Sequence, residues 1–543
     1  MVIVSEENMK QFLCLVTAIL IGIGGFHAVP ASAEADFSQN AWDIVEDIVF
    51  GWNLGNSLDA YDGTEMTIGD LSSETCWGNP VTTPELVALV KSTGVNAIRV
   101  PVTWYNHMDP ETLQIDEAWM KRVEEVVNYV LDADLYCILN VHHDKGEKGW
   151  LNADLNGYEE DERIFIAIWQ QIAARFEKYD GKLLFEGYNE ILNNQKNWVS
   201  PNQACLDAAN KLNQAFVDTV RASGCNNSRR VLVINTYAAQ PNSLITKGLV
   251  VPQDALPDRI IVEAHVYQPY EFTSEFYPQV KTWSKATLDT ALNNLYKDFV
   301  QQGYPVIIGE FGLVDKDNMA QRYSWIQHLM DVCTKRGIKC FWWDNGGDYK
   351  LFSRRSLKVT EPDILDILLT EATGGDYVLD AETLEQLSTK ASSDNLCGDL
   401  EKWSSWVNTG AQADAQVQYT AEGIAVTVNY GGTNTWDVQG AYTGLTVELG
   451  VPYRITFDYK ADVPQSTMFH LMQNYGDYKT YYGAPLESTA EIQHFEDTFT
   501  MTETTDSKAK LAFDFGGSSV QVPYTIEISN LTLVKLAQEG NVE

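Results

Sequence analysis

The sequence predicts an α/β protein: a closed (β/α)8 barrel of the TIM type followed by a C-terminal all-β sandwich. Three observations carry this expectation. Eight short apolar runs of buried-strand length alternate with amphipathic helical patterns from Ala41 to about Thr370. Such alternation implies parallel strands joined by right-handed crossovers, and eight units in roughly 330 residues close a barrel more readily than an open sheet. No glycine-rich loop of the dinucleotide-binding kind follows any run, which counts against the open alternative.

Taken in order, the strands fall at 48–54, 95–100, 135–141, 183–190, 231–235, 259–267, 305–310 and 338–344. Helical patterns fill 84–92, 117–131, 160–179, 204–220, 285–300 and 320–335 between them. The expected barrel spans 36–371, and a polar, acidic linker occupies 372–394. From 395 to 540 helical periodicity is lost. Short alternating runs at 424–429, 453–460, 466–472, 494–501, 509–515 and 524–533, punctuated by Gly431-Gly432 and Gly516-Gly517, read as a β-sandwich. Eight aromatics there, Trp403, Trp406, Tyr430, Trp436, Tyr475, Tyr478, Tyr481 and Tyr482, suit either core packing or stacking on flat sugar faces.

Residues 1–33 read as a secretory signal peptide: an apolar run from Phe12 to Phe26 precedes Ala31-Ser32-Ala33, and is short for a membrane span. The expected location is therefore extracellular, with no membrane attachment after the leader is removed. A formal net charge of −37 repels nucleic acid and anionic lipid and favours a neutral or cationic partner. Loss of Cys14 with the leader leaves seven of eight cysteines, an odd number with no disulfide framework or zinc spacing. Cys205 with Cys225, or Cys333 with Cys340, are the pairings that sequence allows.

The chemistry concentrates at strand ends. Leu183 to Glu190 ends in Asn189-Glu190, and Pro305 to Gly312 carries Glu310; a barrel brings strand C-termini onto one face. Two carboxylates there suit glycoside cleavage, which needs one acid to protonate the departing oxygen and one carboxylate to attack or to activate water. Arg99, His265 and Tyr267 would hold one of them ionised. Glu186 shares the alternation of Glu190, and as a buried carboxylate needs a partner such as Arg99. A metal set of His142, His143, His265 and Glu310 is the alternative, weakened by the adjacency of the two histidines and by the lack of a helical His-Glu-x-x-His pattern.

Gly51 to Asn56, Trp77 to Pro80, Ile98 to Trp104, Leu139 to Asp144, Phe185 to Glu190, Ile308 to Gly312 and Phe341 to Asn345 resemble, in order, the motifs of glycoside hydrolase family five. They are most similar to its subfamily four of endoglucanases and xyloglucanases. The resemblance implies Glu190 as acid/base and Glu310 as nucleophile of a retaining enzyme, with no cofactor and no metal. It implies that Asn189 bonds the sugar 2-hydroxyl and that Arg99 and Tyr267 orient Glu310. His142 and His265 would line the cleft, Trp343 would form its floor, and Asn53, Trp77 and His143 complete the expected substrate-binding set. Thr446 to Lys460 more loosely resembles carbohydrate-binding modules of family four.

The expectation is thus a secreted, monomeric endo-β-1,4-glucanase acting on cellulose-like or mixed-linkage β-glucan. A xyloglucanase, xylanase or mannanase on the same scaffold is the rival enzyme, and a glycan-binding protein without catalysis is the rival of another class.

Overall fold

The computed structural model describes residues 36–61, 68–144, 151–316, 318–375, 395–420 and 422–536. The expected leader and most of the expected linker lie outside the described residues, as do 537–540. The described residues from Phe37 onward cluster as one compact unit.

Eight parallel strands close the barrel in sequence order: β1 Gly51–Leu54, β2 Ala97–Val100, β3 Tyr136–Asn140, β4 Leu183–Glu186, β5 Leu232–Asn235, β6 Ile260–His265, β7 Val306–Phe311 and β8 Lys339–Asp344. Each is buried almost throughout, because helices cover the outside and side chains fill the inside. The six expected helices form at Pro84–Ser92, Glu117–Asp132, Tyr158–Arg175, Gln203–Ala222, Lys285–Asp298 and Met319–Lys335.

Strand alternation sorts the interior into layers. At the lower end, Ala97, Tyr136, Ile138, Leu184, Val233, Ile261, Ile307 and Phe341 make a separate apolar cluster with Ile44 and Val45. Those last two come from a short helix, Ala41–Asp47, that was not anticipated; Asn40 caps it, accepting from the Asp43 amide, while the Asp43 carboxylate accepts from the Asn40 amide. Burying such side chains contributes about 1.5–3 kcal/mol each, so the helix acts as the barrel's floor.

The sandwich contains two five-stranded antiparallel sheets. One runs β11 Trp403–Val407, β14 Val438–Val447, β19 Asp506–Asp514, β16 Gln465–Gln473, β17 Thr480–Ser488. The other runs β12 Asp414–Thr420, β13 Gly423–Tyr430, β20 Tyr524–Lys535, β15 Pro452–Ala461, β18 Gln493–Thr500. Here β9 and β10 are Phe352–Ser353 and Lys358–Val359, a two-stranded hairpin on the barrel. A core of Tyr442, Ile455, Phe457, Phe469, Phe513 and their neighbours fills the gap between the sheets.

Of the two roles left open for Trp403, the structure shows core packing: it is wedged against Tyr442 and Phe513 and presents no face for a ligand. Two expectations need correction. Strands β11, β12, β14 and β17 escaped the sequence reading. Among the described residues neither candidate cysteine pairing, Cys205 with Cys225 or Cys333 with Cys340, is formed.

Candidate active site

One layer above the apolar floor, the same alternation places polar side chains inside the barrel: Asn53, Arg99, Asn140, Glu186, Asn235 and Glu263, all fully buried. Arg99 organises them. Its Nε and Nη2 donate to the two Glu186 oxygens at 2.6 and 2.8 Å, Nη1 to Asn53 Oδ1 at 2.9 Å and Glu310 Oε1 at 2.8 Å, and Nη2 also to Asn189 Oδ1 at 2.8 Å. Its planar fork serves several acceptors at once, which a point-charge ammonium would not do.

Arg99 was expected to orient Glu310, and its Nη1 bond does so. Asn53 and Arg99 were also placed in the expected substrate-binding set, but both are fully buried and have no surface to offer a sugar. Asn53 spends its amide on the carbonyls of Gly309 and Trp342, at 2.8 and 3.1 Å, and its oxygen on Arg99. Both act from beneath the cleft by fixing the groups above.

Glu310 enters the cleft against strict alternation. Ile307 and Gly309 face inward, so regular pleating would turn Glu310 outward. The pairing of β7 shifts register on both sides, between Ala264 and His265 on β6 and between Ile308 and Phe311 toward β8. This bulge turns the Glu310 carboxylate inward. There it accepts from Arg99 Nη1 and, at 3.1 Å, from the Tyr267 hydroxyl.

Glu190 lies just beyond β4, its side chain 19% exposed, and accepts from His265 Nδ1 at 2.7 Å. His265 Nδ1 is also 3.5 Å from Glu310 Oε2, and its Nε2 meets Glu263 Oε1 at 3.2 Å. Ligating atoms of Glu190, His265 and Glu310 all fall within 4.8 Å of one another. Among the described residues the four residues considered as a metal set do not form one ligand group: His142 and His143 group with Asp59, and His265 and Glu310 with Glu190, although His142 Nε2 comes within 4.0 Å of Glu310 Oε1.

Charges in this space perturb each other. Burial alone would lower the His265 imidazole, but the charge of Glu310 and hydrogen bonds to Glu190 and Glu263 prevail and carry it up to about 10. His265 is therefore a cation at neutral pH. Burial lifts Glu186 to about 7 against the pull of Arg99. Burial also raises Glu310, helped by the neighbouring Glu190 and opposed by His265 and Arg99. Glu263 goes the other way, because Arg99 and His265 overcome its burial. Tyr267 is pushed well above its ordinary range by burial and by Glu310, so it stays a donor.

The remaining expected residues line the cleft. Asn189 accepts from Arg99 through its carbonyl oxygen, which turns its amide group away from the guanidinium. Trp343 is partly exposed and lies parallel to His142, 2° between planes and 5.7 Å between centroids. His143 sits 3.5 Å from Asp59 and packs against Trp77 and Tyr61, with Trp77 at the rim, 39% exposed. Glu263, Asn140, Asn235 and Tyr61 were not singled out from sequence. Glu263 and Asn140 each precede a cleft histidine by two residues, which is the signal that would have found them.

A second concave surface crosses the outer face of the sheet containing β11, β14, β19 and β16. This groove, about 810 Å³, is lined by Trp406, Trp436, Tyr478, Gln439, His470 and Asp514 among others. The three aromatics are each more than half exposed. Polar groups between them are held in place: Asp514 accepts from Gln439 Nε2 at 2.7 Å, and Lys510 Nζ donates to Gln439 Oε1 at 2.7 Å.

Comparison with known proteins bears on both surfaces. Residues 61–349 match the family model described as cellulase (glycosyl hydrolase family 5). The chain belongs to glycoside hydrolase family 5. Residues 385–521 match a model described as a carbohydrate binding domain. Over 400 residues the chain is 40% identical to a cellulase/esterase, CelE, of Acetivibrio thermocellus; the match covers 67% of this chain and 47% of CelE, so the chain spans about half the length of that relative. Among solved structures, a GH5-4 broad specificity endoglucanase from Ruminococcus champanellensis with bound cellotriose aligns at TM-score 0.58 and 36% identity, over 62% of this chain and all of that one. XEG5A, a xyloglucan-specific endo-β-1,4-glucanase of the family from a metagenomic library, aligns at 0.57 and 37% identity, over 61% of this chain and 98% of that one. Among the described residues of this family 5 chain, no helix is long and apolar enough to cross a membrane.

Proposed function

We propose that this family 5 glycoside hydrolase is a secreted, monomeric, retaining endo-β-1,4-glucanase acting on unsubstituted or mixed-linkage β-glucan. The observation that carries the reading is the approach of Glu190 and Glu310, which bring one carboxylate oxygen each within 4.8 Å of the other in one cleft. Retaining glycosidases hold their carboxyl pair about 5 to 5.5 Å apart, whereas inverting ones leave about 6.5 to 9.5 Å for a water.

In this reading Glu310, poised by Arg99 and Tyr267, attacks the anomeric carbon while Glu190 protonates the departing oxygen. Glu190 then takes a proton from water as that water attacks the same carbon and releases Glu310. His265 places a positive charge between the pair and, by its bond to Glu190, orients the acid. Both working groups come from the protein, and no cofactor enters.

Secretion rests on the leader-like sequence at 1–33, and the sandwich groove supplies stacking faces and hydroxyl partners for a glycan. A xyloglucanase is the second reading, favoured by the likeness to XEG5A. Comparative kcat/KM on xyloglucan and on mixed-linkage glucan separates the two. The mechanism is tested by following product anomers by NMR and by trapping with an activated 2-fluoro glycoside. Retention with a covalent adduct on Glu310 is expected; initial release of the inverted anomer would refute it.

A further inference from the structure

We propose that the sandwich groove and the barrel cleft work as one track for a single β-glucan chain, joined rigidly at Arg355. This rests on the glucanase reading above and deepens it.

Arg355 lies in the hairpin loop between β9 and β10, on the barrel. Its Nη2 donates to the carbonyl of Gly78 at 2.5 Å, and Gly78 follows Trp77 at the cleft rim. Its guanidinium carbon sits 3.5 Å from the ring centroid of Tyr419, on β12 of the sandwich. The Tyr419 hydroxyl is 3.1 Å from Ser405 Oγ, and Ser405 lines the groove beside Trp406. An unbroken set of contacts therefore runs from the cleft rim to the groove wall. A second tie fixes the same face: Lys350 Nζ, just before β9, is 2.5 Å from Asp399 Oδ2 at the start of the sandwich.

A module on a loose tether only raises local substrate concentration. One held by a stacked guanidinium and an ion pair presents its aromatic surface at a fixed place relative to the catalytic carboxylates. The ligand this suits is an extended, neutral, unbranched β-linked glucan long enough to reach both surfaces. Its flat sugar faces match Trp77, Trp406 and Trp436, and its hydroxyls match Gln439 and Asp514. A polyanionic chain is disfavoured by the net charge of −37.

The test compares the full chain with Tyr419→Ala, Trp406→Ala and the double variant, on cellotetraose and on soluble mixed-linkage β-glucan. Tyr419→Ala should leave kcat/KM on cellotetraose unchanged and raise KM for the polymer about fivefold. Trp406→Ala should raise polymer KM, and adding Tyr419→Ala should worsen it little further, since the two residues serve one path. Lys350→Gln, which loosens the second tie from the barrel side, should move polymer KM in the same direction and guards against misfolding of the Tyr419 variant. If Trp406→Ala raises polymer KM while Tyr419→Ala and Lys350→Gln do not, or if the effects multiply, the joint is refuted and the groove acts alone. If Trp406→Ala has no effect on polymer KM, the glycan-binding reading of the groove falls, and this proposal with it.

Discussion

A Cβ on Gly309 would stand 1.5 Å from Glu263 Oε1. The glycine before Glu310 thus leaves the space that a buried carboxylate of the neighbouring strand occupies. Glu263 in turn meets His265 at 3.2 Å and accepts from Asn235 at 2.7 Å. The backbone at 309, the polar layer and the cleft histidine are mechanically linked.

Gly309→Ala should therefore push Glu263 out of register, destabilise the fold by about 3 kcal/mol and lower kcat by displacing His265. Urea unfolding of Gly309→Ala, Glu263→Ala and the double variant measures the link. The double variant should be less destabilised than the sum of the singles, because removing the Glu263 side chain removes the clash. Additive costs would mean that the two residues do not compete for this space.

Arg99→Lys tests the buried hub. Lysine keeps the charge but cannot serve Glu186, Glu310, Asn53 and Asn189 together. Stability should fall by about 3 to 5 kcal/mol, the cost of breaking buried ion pairs. The value of kcat/KM should drop by about 100-fold or more as Glu310 and Asn189 lose their alignment. A lysine variant within twofold of the parent in both measurements would show that charge alone, not the fork, is what the site uses.

Stability should decline as pH rises above neutrality. The imidazole of His265 is held at about 10 in the folded chain against an ordinary 6.5, so its contribution is complete below about 6.5 and is lost as pH climbs through 10. Glu186, raised to about 7 from 4.5, adds the same sign at lower pH, since the folded chain binds its proton more tightly than the unfolded one. With one extra proton bound in the folded state, unfolding free energy falls by about 1.4 kcal/mol per pH unit. Urea midpoints at pH values from about 7 to about 9 should show this slope in the parent and a shallower one in His265→Gln. Equal slopes would place the extra proton elsewhere.

Much of this site was legible because barrel strands carry their chemistry at one end. Glu190, Asn189, Glu310, His142, His265, Tyr267 and Trp343 all follow apolar runs, and the fold gathers them. What stayed hidden lies where strict alternation fails, where depth decides, or where no apolar signal exists. The bulge at Gly309 turns Glu310 inward, and no spacing rule announces it. Asn53 and Arg99 sit on the inward parity but one layer too deep for a sugar, a distinction of depth that a linear pattern does not carry. In the sandwich, β11, β12 and β17 are edge strands with mostly solvated side chains. The alternation of β14 is broken by register shifts between Tyr442 and Val447. The helix Ala41–Asp47 spans about two turns, too short for its period to stand out.

The division of labour between the two glutamates has its own kinetic signature. In the proposed mechanism Glu310 is the attacking group, so Glu310→Ala should be inactive on every substrate, by about 10⁴-fold or more, while glycan affinity and the melting transition persist. Loss of Glu190 removes only the proton for the departing oxygen. Aryl glycosides with acidic phenols need little protonation, so Glu190→Ala should lose about 10² to 10⁴-fold on cello-oligosaccharides and far less on activated aryl cellobiosides. The second step also lacks its base, so the glycosyl-enzyme should accumulate and give a burst with the activated substrate. His265 adds a further constraint: its 2.7 Å bond ties it to Glu190, not to the leaving group. The variant His265→Gln should accordingly show a milder version of the Glu190→Ala pattern, with a larger loss on poor leaving groups than on good ones. A Glu190→Ala enzyme that lost equally on both kinds of substrate, with no burst, would reverse the assignment of acid/base and nucleophile or dismiss Glu190 from the pair.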